Sequence, residues 1–190
     1  TSRHRSPFRV LLRCDHDGGY LAEGGDATDT WELDGSVWTQ VVTATSPPAR
    51  YLHAMAYDPE RGRTVVFGGV PSDATAWEYD GTDWHAVVLA GAPPPVRSAD
   101  MAFAPSLHKL VMFGGVSVDG STYNNDTWTY DGASWVKLTP AAKPTPRYGH
   151  RMVLDPGSDR IVAFGGSSQF GDLDQTWEFS GATWTQRNPT

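Results

Sequence analysis

Hydrophobic and polar positions along this chain alternate in short bursts, with turn residues between them. In residues 47–69, "PPARYLHAMAYDPERGRTVVFGG", His53, Met55 and Tyr57 alternate with small residues, which predicts a strand with two unlike faces. Arg63 to Phe67 then predicts a second, more buried strand ending at Gly68-Gly69. The same apolar run closes on Gly-Gly at "KLVMFGG" (109–115) and "RIVAFGG" (160–166). Glycine there predicts a sharp bend past neighbouring backbone, which a Cβ would obstruct. Two more strands follow in each unit, joined at Asp-Gly or Ser-Gly: "DTWELDGSVW", "TAWEYDGTDW", "DTWTYDGASW" and "QTWEFSGATW".

All eight tryptophans fall in those four segments, as Trp31/Trp38, Trp77/Trp84, Trp128/Trp135 and Trp177/Trp184. First tryptophans of successive units lie 46, 51 and 49 residues apart. A period of about 50, Gly-Gly after an apolar strand and paired aromatics resemble the kelch repeat, whose units are blades of a β-propeller. The resemblance implies an all-β fold of about four four-stranded antiparallel blades over residues 1–190, a single domain with units near 1–43, 44–91, 92–140 and 141–190. Within it the tryptophans are expected to pack between blades. Unit three, "PPVRSADMAFAPSLHKLVMFGG", reads as one residue short between Arg97 and Met101 and has no His in the Arg-x-x-His position.

The first unit is the irregular one. Its "RVLLRCDHDGG" (9–19) sets Arg13-Cys14-Asp15 where the other units have Phe-Gly-Gly, and the start of its first strand has no counterpart. Two outcomes follow: a small closed ring, or an open arc covered by a partner. Two arcs in a symmetric homodimer would give a ring of about eight blades, and two-fold closure is the commonest oligomeric solution. The homodimer is the expected partner.

Composition narrows the function. The 20 glycines, 14 prolines and 12% aromatics suit short strands and tight turns. Formal charge is −7 with no basic stripe, which argues against nucleic-acid binding. No apolar run approaches the roughly 18 residues of a membrane span, and no signal-peptide pattern is visible. A soluble chain is expected, cytoplasmic or secreted. The single cysteine, Cys14, excludes an internal disulfide.

The kelch resemblance also implies where chemistry would gather. Residues opening the first strand of each blade converge near the axis, and the long loop after the second strand opens on that same pole. This brings together Cys14, Asp15, His16, Asp17, His53, Asp100 and His150. Imidazole with carboxylate or thiolate is a ligand set for zinc or manganese. Cys14, His16, His53, Asp100 and His150 are the candidate ligands, with Asp15, Arg50 and Arg147 as candidate catalytic groups. Against this, adjacent residues of an extended strand cannot all point one way. The repeat arginines could equally bridge blades.

Two main readings of function remain open, beside a third in which the arc has no function separable from a longer parent propeller. The first is a binding module whose loops 70–76, 116–126 and 167–176, carrying Tyr123, Asn124, Asn125, Gln169 and Phe170, meet a protein, glycan or small ligand beside a central polar pocket. The alternative is a metal-dependent hydrolase of a small ester, phosphoester or lactone, in which the metal activates water and arginine holds an anionic group. No nucleophile elbow, His-Glu-x-x-His or phosphate-cradling glycine loop is present.

Overall fold

The structure is a computed structural model that describes residues 9–12, 28–71 and 73–187, the first four as backbone only. The first sheet holds β1 (Arg9–Leu12), β2 (Thr30–Asp34) and β3 (Val37–Val41). The second is a four-stranded meander of β4 (Ala54–Asp58), β5 (Arg63–Phe67), β6 (Ala76–Tyr79) and β7 (Trp84–Val87). A short β8 (Val96–Arg97) leads into the third sheet, β9 (Asp100–Ala104) and β10 (Lys109–Phe113), then β11 (Val116–Ser117) returns to pair with β8. Strands β12 (Thr127–Tyr130) and β13 (Trp135–Leu138) complete the third sheet. The fourth consists of β14 (Arg151–Asp155), β15 (Arg160–Phe164), β18 (Thr176–Ser180) and β19 (Thr183–Arg187). Between its second and third strands lies the ribbon of β16 (Ser167–Ser168) and β17 (Gly171–Asp172). Every pairing is antiparallel between neighbours in the meander.

The second, third and fourth sheets stack face to face because an alanine-bearing face of one receives the larger side chains of the next. Register puts Ala54, Ala56, Val65, Phe67 and Ala76 on one side of the second sheet. They form one core with Met101, Phe103, Leu110, Met112, Tyr130 and Trp135 of the third. The opposite face of the third, Ala102, Ala104, Val111 and Phe113, receives Met152, Ile161, Ala163, Trp177, Phe179 and Trp184 of the fourth. Alanines on the receiving face leave room for the indoles. Full burial of each large side chain contributes about 2–3 kcal/mol.

The second tryptophan of each pair is the wedge. Trp135 lies 4.9 Å from Phe67, and Trp184 lies 4.9 Å from Phe113, each ring reaching the preceding sheet. The Trp84 indole N–H donates to Thr30 Oγ1 and that of Trp184 to Thr127 Oγ1, both at 2.9 Å. Tyrosines add a second tie: Tyr79 O–H donates to Glu32 at 2.8 Å, and Tyr130 O–H to Glu78 at 2.7 Å. At the equivalent place in the next seam, Phe179 stands where Tyr79 and Tyr130 stand, and Thr129 where the glutamates do. A phenol appears where a carboxylate can accept, and a bare ring where none is present. The expectation that the tryptophans pack between sheets holds for Trp84, Trp135 and Trp184 but not for Trp38, which is 44% exposed.

First strands β4, β9 and β14 lie side by side. Their approaches are tied by Ser98 N–H to the Leu52 carbonyl at 2.7 Å and Gly149 N–H to the Ser98 carbonyl at 2.8 Å. The Gly-Gly bends run against this seam. A Cβ on Gly68 would stand 2.3 Å from the Val96 carbonyl oxygen, and one on Gly114 2.7 Å from that of Arg147.

That geometry corrects the alignment of unit three. Val96 meets Gly68 as Arg147 meets Gly114, and Arg97 pairs with Val116 as Tyr148 pairs with Ser167. Val96 therefore occupies the arginine position, Arg97 the tyrosine position and Ala99 the histidine position. No residue is missing before Met101.

Candidate functional site

Two regions bear on function: the ends of the first strands, where the sequence puts its metal-site candidates, and the long loops. Arg50 and Arg147 are 4% and 1% exposed. Arg50 donates from Nη1 to the Gly68 carbonyl at 3.1 Å and from Nε to the Pro48 carbonyl at 3.1 Å, and its Nη2 lies 3.6 Å from Asp73. Arg147 repeats this, with Nη1 to the Gly165 carbonyl at 2.9 Å and Nε to the Thr145 carbonyl at 3.2 Å. Its Nη2 reaches Thr145 Oγ1 and Gln175 Oε1. Both guanidinium groups thus brace the Gly-Gly bend of their own sheet.

Asp100 is 9% exposed, and its carboxylate serves two sheets. Oδ1 accepts the Met101 N–H at 3.0 Å, and Oδ2 accepts the Met152 N–H of the fourth sheet at 2.7 Å. Burial pushes its pKa up, while these two N–H donors act the other way. His150 is 1% exposed, its ring edge-on to Phe113 at 5.3 Å, and among the described residues neither nitrogen has a hydrogen-bonding partner. Burial first, then the charges of Arg147 and Arg151, lowers its pKa to about 4; a polar contact with the Phe113 backbone opposes this without reaching hydrogen-bond geometry. His53, less completely enclosed, is lowered to about 4 by burial first and then by the charge of Arg50, against a weaker polar contact with the Arg50 backbone; its Nδ1 has no hydrogen-bonding partner among the described residues. Both imidazoles are therefore neutral at pH 7.

Among the described residues no three His, Cys, Asp or Glu side chains gather as a metal cluster. Cys14, Asp15, His16 and Asp17, the remaining members of the sequence-derived pole, lie outside the described residues.

The long loops are more informative. A cleft of about 410 Å³ opens between the third and fourth sheets. One wall is Ser121, Thr122 and Tyr123, from the loop before β12. The other is Ser168, Gln169, Phe170 and Leu173, around the β16–β17 ribbon, and the link residues Thr145 and Pro146 complete the lining. None of the lining side chains is charged. The Tyr123 ring is steadied against Tyr148 at 5.6 Å between centroids, whereas Phe170 is 90% exposed.

Ser168 holds the tip of the ribbon by accepting the Phe170 N–H at 3.1 Å and donating to the Gly171 carbonyl at 3.1 Å. Loops 116–126 and 167–176 and their residues Tyr123, Gln169 and Phe170 are thus brought together. Asn124 does not line the cleft: its main-chain carbonyl accepts the Arg147 N–H at 3.0 Å, and its side-chain amide faces the Thr122 carbonyl at 3.5 Å. Asn125 donates to the Pro144 carbonyl at 3.2 Å. Sequence reasoning missed Thr145 and Pro146, for which the proline-rich "KPTPRYGH" (143–150) was the available signal.

No family model matches this chain, and comparison with curated proteins finds no match. The established description is therefore an all-β chain with three four-stranded antiparallel sheets and a first sheet of three described strands. No helix among the described residues is long and apolar enough to cross a membrane.

Proposed function

We propose that the chain is a kelch-like β-propeller segment that works as a binding module, and that the cleft between the loops of its third and fourth sheets is the ligand site. The blade reading is supported by the adjacency of β4, β9 and β14 and by the repeated Gly-Gly seam. The observation that carries the function is the cleft itself, an uncharged hollow with a fixed tyrosine, an exposed phenylalanine and a rim of hydroxyl and amide groups. Such a lining suits a ligand with an apolar face and hydrogen-bonding edges, either a neutral glycan or an uncharged stretch of peptide on a protein. A soluble homodimer of arcs is the accompanying assembly.

The test is binding to an array of neutral oligosaccharides and uncharged peptides, with hits titrated calorimetrically. Phe170→Ala and Tyr123→Ala should each weaken the hit about tenfold or more, and Phe170→Ala should leave the melting temperature unchanged. A hit that both variants bind as tightly as the parent chain would overturn the site.

The second reading, a zinc- or manganese-dependent hydrolase, draws on the two neutral imidazoles of His53 and His150 with unpartnered nitrogens. It would need Cys14 or His16 to complete a ligand set, and Asp15 to act with the metal-bound water. Elemental analysis of purified protein tests it directly: absence of stoichiometric metal removes it.

A further inference from the structure

The three seams inside the chain draw on a shared set of contacts, each using part of it: tyrosine on glutamate in the first two, indole on phenylalanine in the last two, and indole on threonine in the first and third. On the receiving side a phenylalanine closes the second strand: Phe67 and Phe113, 1% and 0% exposed under Trp135 and Trp184. Phe164 is the same residue in the fourth sheet, with the same register partner position, yet it is 56% exposed and its neighbour Val153 is 63% exposed. Gly165 repeats the backbone of Gly68 and Gly114, with φ of +70°, although among the described residues the only atom within 4 Å of a Cβ built there is the Leu173 carbonyl oxygen of its own unit. Thr176 stands where Thr30 and Thr127 accept the indole hydrogens of Trp84 and Trp184. At the other end, Trp38 occupies the position of those indoles and is 44% exposed, against 1% for Trp84 and 2% for Trp184. Among the described residues the fourth sheet has a socket with no wedge, and the first has a wedge with no socket.

We propose that the occupant of each is a second copy of this chain, joined head to tail. The second copy's Trp38 lies on Phe164 and donates its indole hydrogen to Thr176. Reciprocally, Trp38 of the first copy enters the second copy's fourth sheet. Using both ends of both copies closes the assembly about a two-fold axis, so no sheet face is left open.

Continuity with the seams already built into the chain identifies this partner, and rests on the reading of the sheets as successive blades. The new seam departs from the others at one place. Leu33 takes the position of Tyr79 and Tyr130, and would face Glu178. That carboxylate does not need a phenol, because Arg160 and Arg187 already pair with it.

The experiment is light scattering on the purified chain at tens of micromolar, with Trp38→Arg and Phe164→Arg made separately and then mixed. The parent should have the mass of two chains. Each variant should weaken association by about 30-fold or more per seam, with unchanged far-ultraviolet circular dichroism because both side chains are exposed within one chain. Mixing the two variants should partly restore the dimer, since one of its two seams then pairs a native Trp38 with a native Phe164. A monomeric parent, or a dimer indifferent to either substitution, overturns the proposal. So does a dimer lost in both variants that mixing fails to restore.

Indole N–H exchange in protein labelled with ¹⁵N at tryptophan separates this failure from failure of the blade reading. If only the head-to-tail seam is wrong, Trp84 and Trp184 stay protected while Trp38 exchanges freely. If the internal seams are wrong, Trp84 and Trp184 exchange as well.

Discussion

Replacing His150 by leucine should remove much of the acid sensitivity of this fold. The imidazole is 1% exposed, wedged beside Phe113 and Gly114, with no partner for either nitrogen among the described residues. Charging it would bury a cation next to Arg147 and Arg151, and its pKa is lowered from 6.5 to about 4. The sign is fixed by that direction. A folded-state pKa below the unfolded value gives stability that is complete above the unfolded value and lost as pH falls toward the folded one. Between pH 7 and pH 5 the loss from this one group is about 2 kcal/mol, rising to about 3 kcal/mol by pH 4. Leucine occupies comparable space and does not titrate.

Urea unfolding followed by tryptophan fluorescence at pH 7, 6 and 5 measures the difference. The stability lost between pH 7 and pH 5 should be about 2 kcal/mol smaller in the variant than in the parent. His53, whose pKa is lowered in the same direction, adds a slope of the same sign to both proteins, so the comparison isolates His150. Equal acid sensitivity in the two, within about 0.5 kcal/mol, would refute the reasoning that His150 is folded as a neutral, unpartnered ring.

Two further outcomes test the seams. Thr127→Val keeps shape but removes the acceptor of the Trp184 indole hydrogen, and the stranded donor should cost about 1–3 kcal/mol in chemical unfolding. Gly114→Ala forces a Cβ to within 2.7 Å of the Arg147 carbonyl oxygen and 2.9 Å of the His150 ring, at a backbone φ of +71°. The loss should exceed about 2 kcal/mol, whereas Gly132→Ala, also at a positive φ but with the far end of the Arg61 side chain as its nearest contact, should cost less.

The strands were legible because a strict period exposes them. An apolar run before Gly-Gly and a tryptophan on either side of a turn recur too regularly for a single coincidence. What the pattern could not supply was backbone position. Arg97 looks like the partner of Arg50 and Arg147 because it is the nearby arginine, yet the position is defined by which carbonyl meets the preceding Gly-Gly bend, and that carbonyl belongs to Val96. Asp100 was unreadable for a related reason. Its acceptor role depends on a backbone N–H at Met152, 52 residues on, and a backbone donor leaves no signature in the sequence. The loop residues fared better, since Tyr123, Gln169 and Phe170 sit in segments too long for a simple hairpin and come together at one cleft.

The pairing of tyrosine with glutamate across the seams makes the repeats unequal in their tolerance of loss. If residues 44–91 dropped out by recombination between repeats, Tyr130 would face Glu32 and Trp135 would face Thr30, both with acceptors waiting. If residues 92–140 dropped out instead, Phe179 would face Glu78 and Trp184 would face Ala76, leaving a carboxylate without its phenol and an indole without its hydroxyl. Near-identical modules are thus addressed to particular neighbours, and a lineage shortening this array has a preferred place to cut.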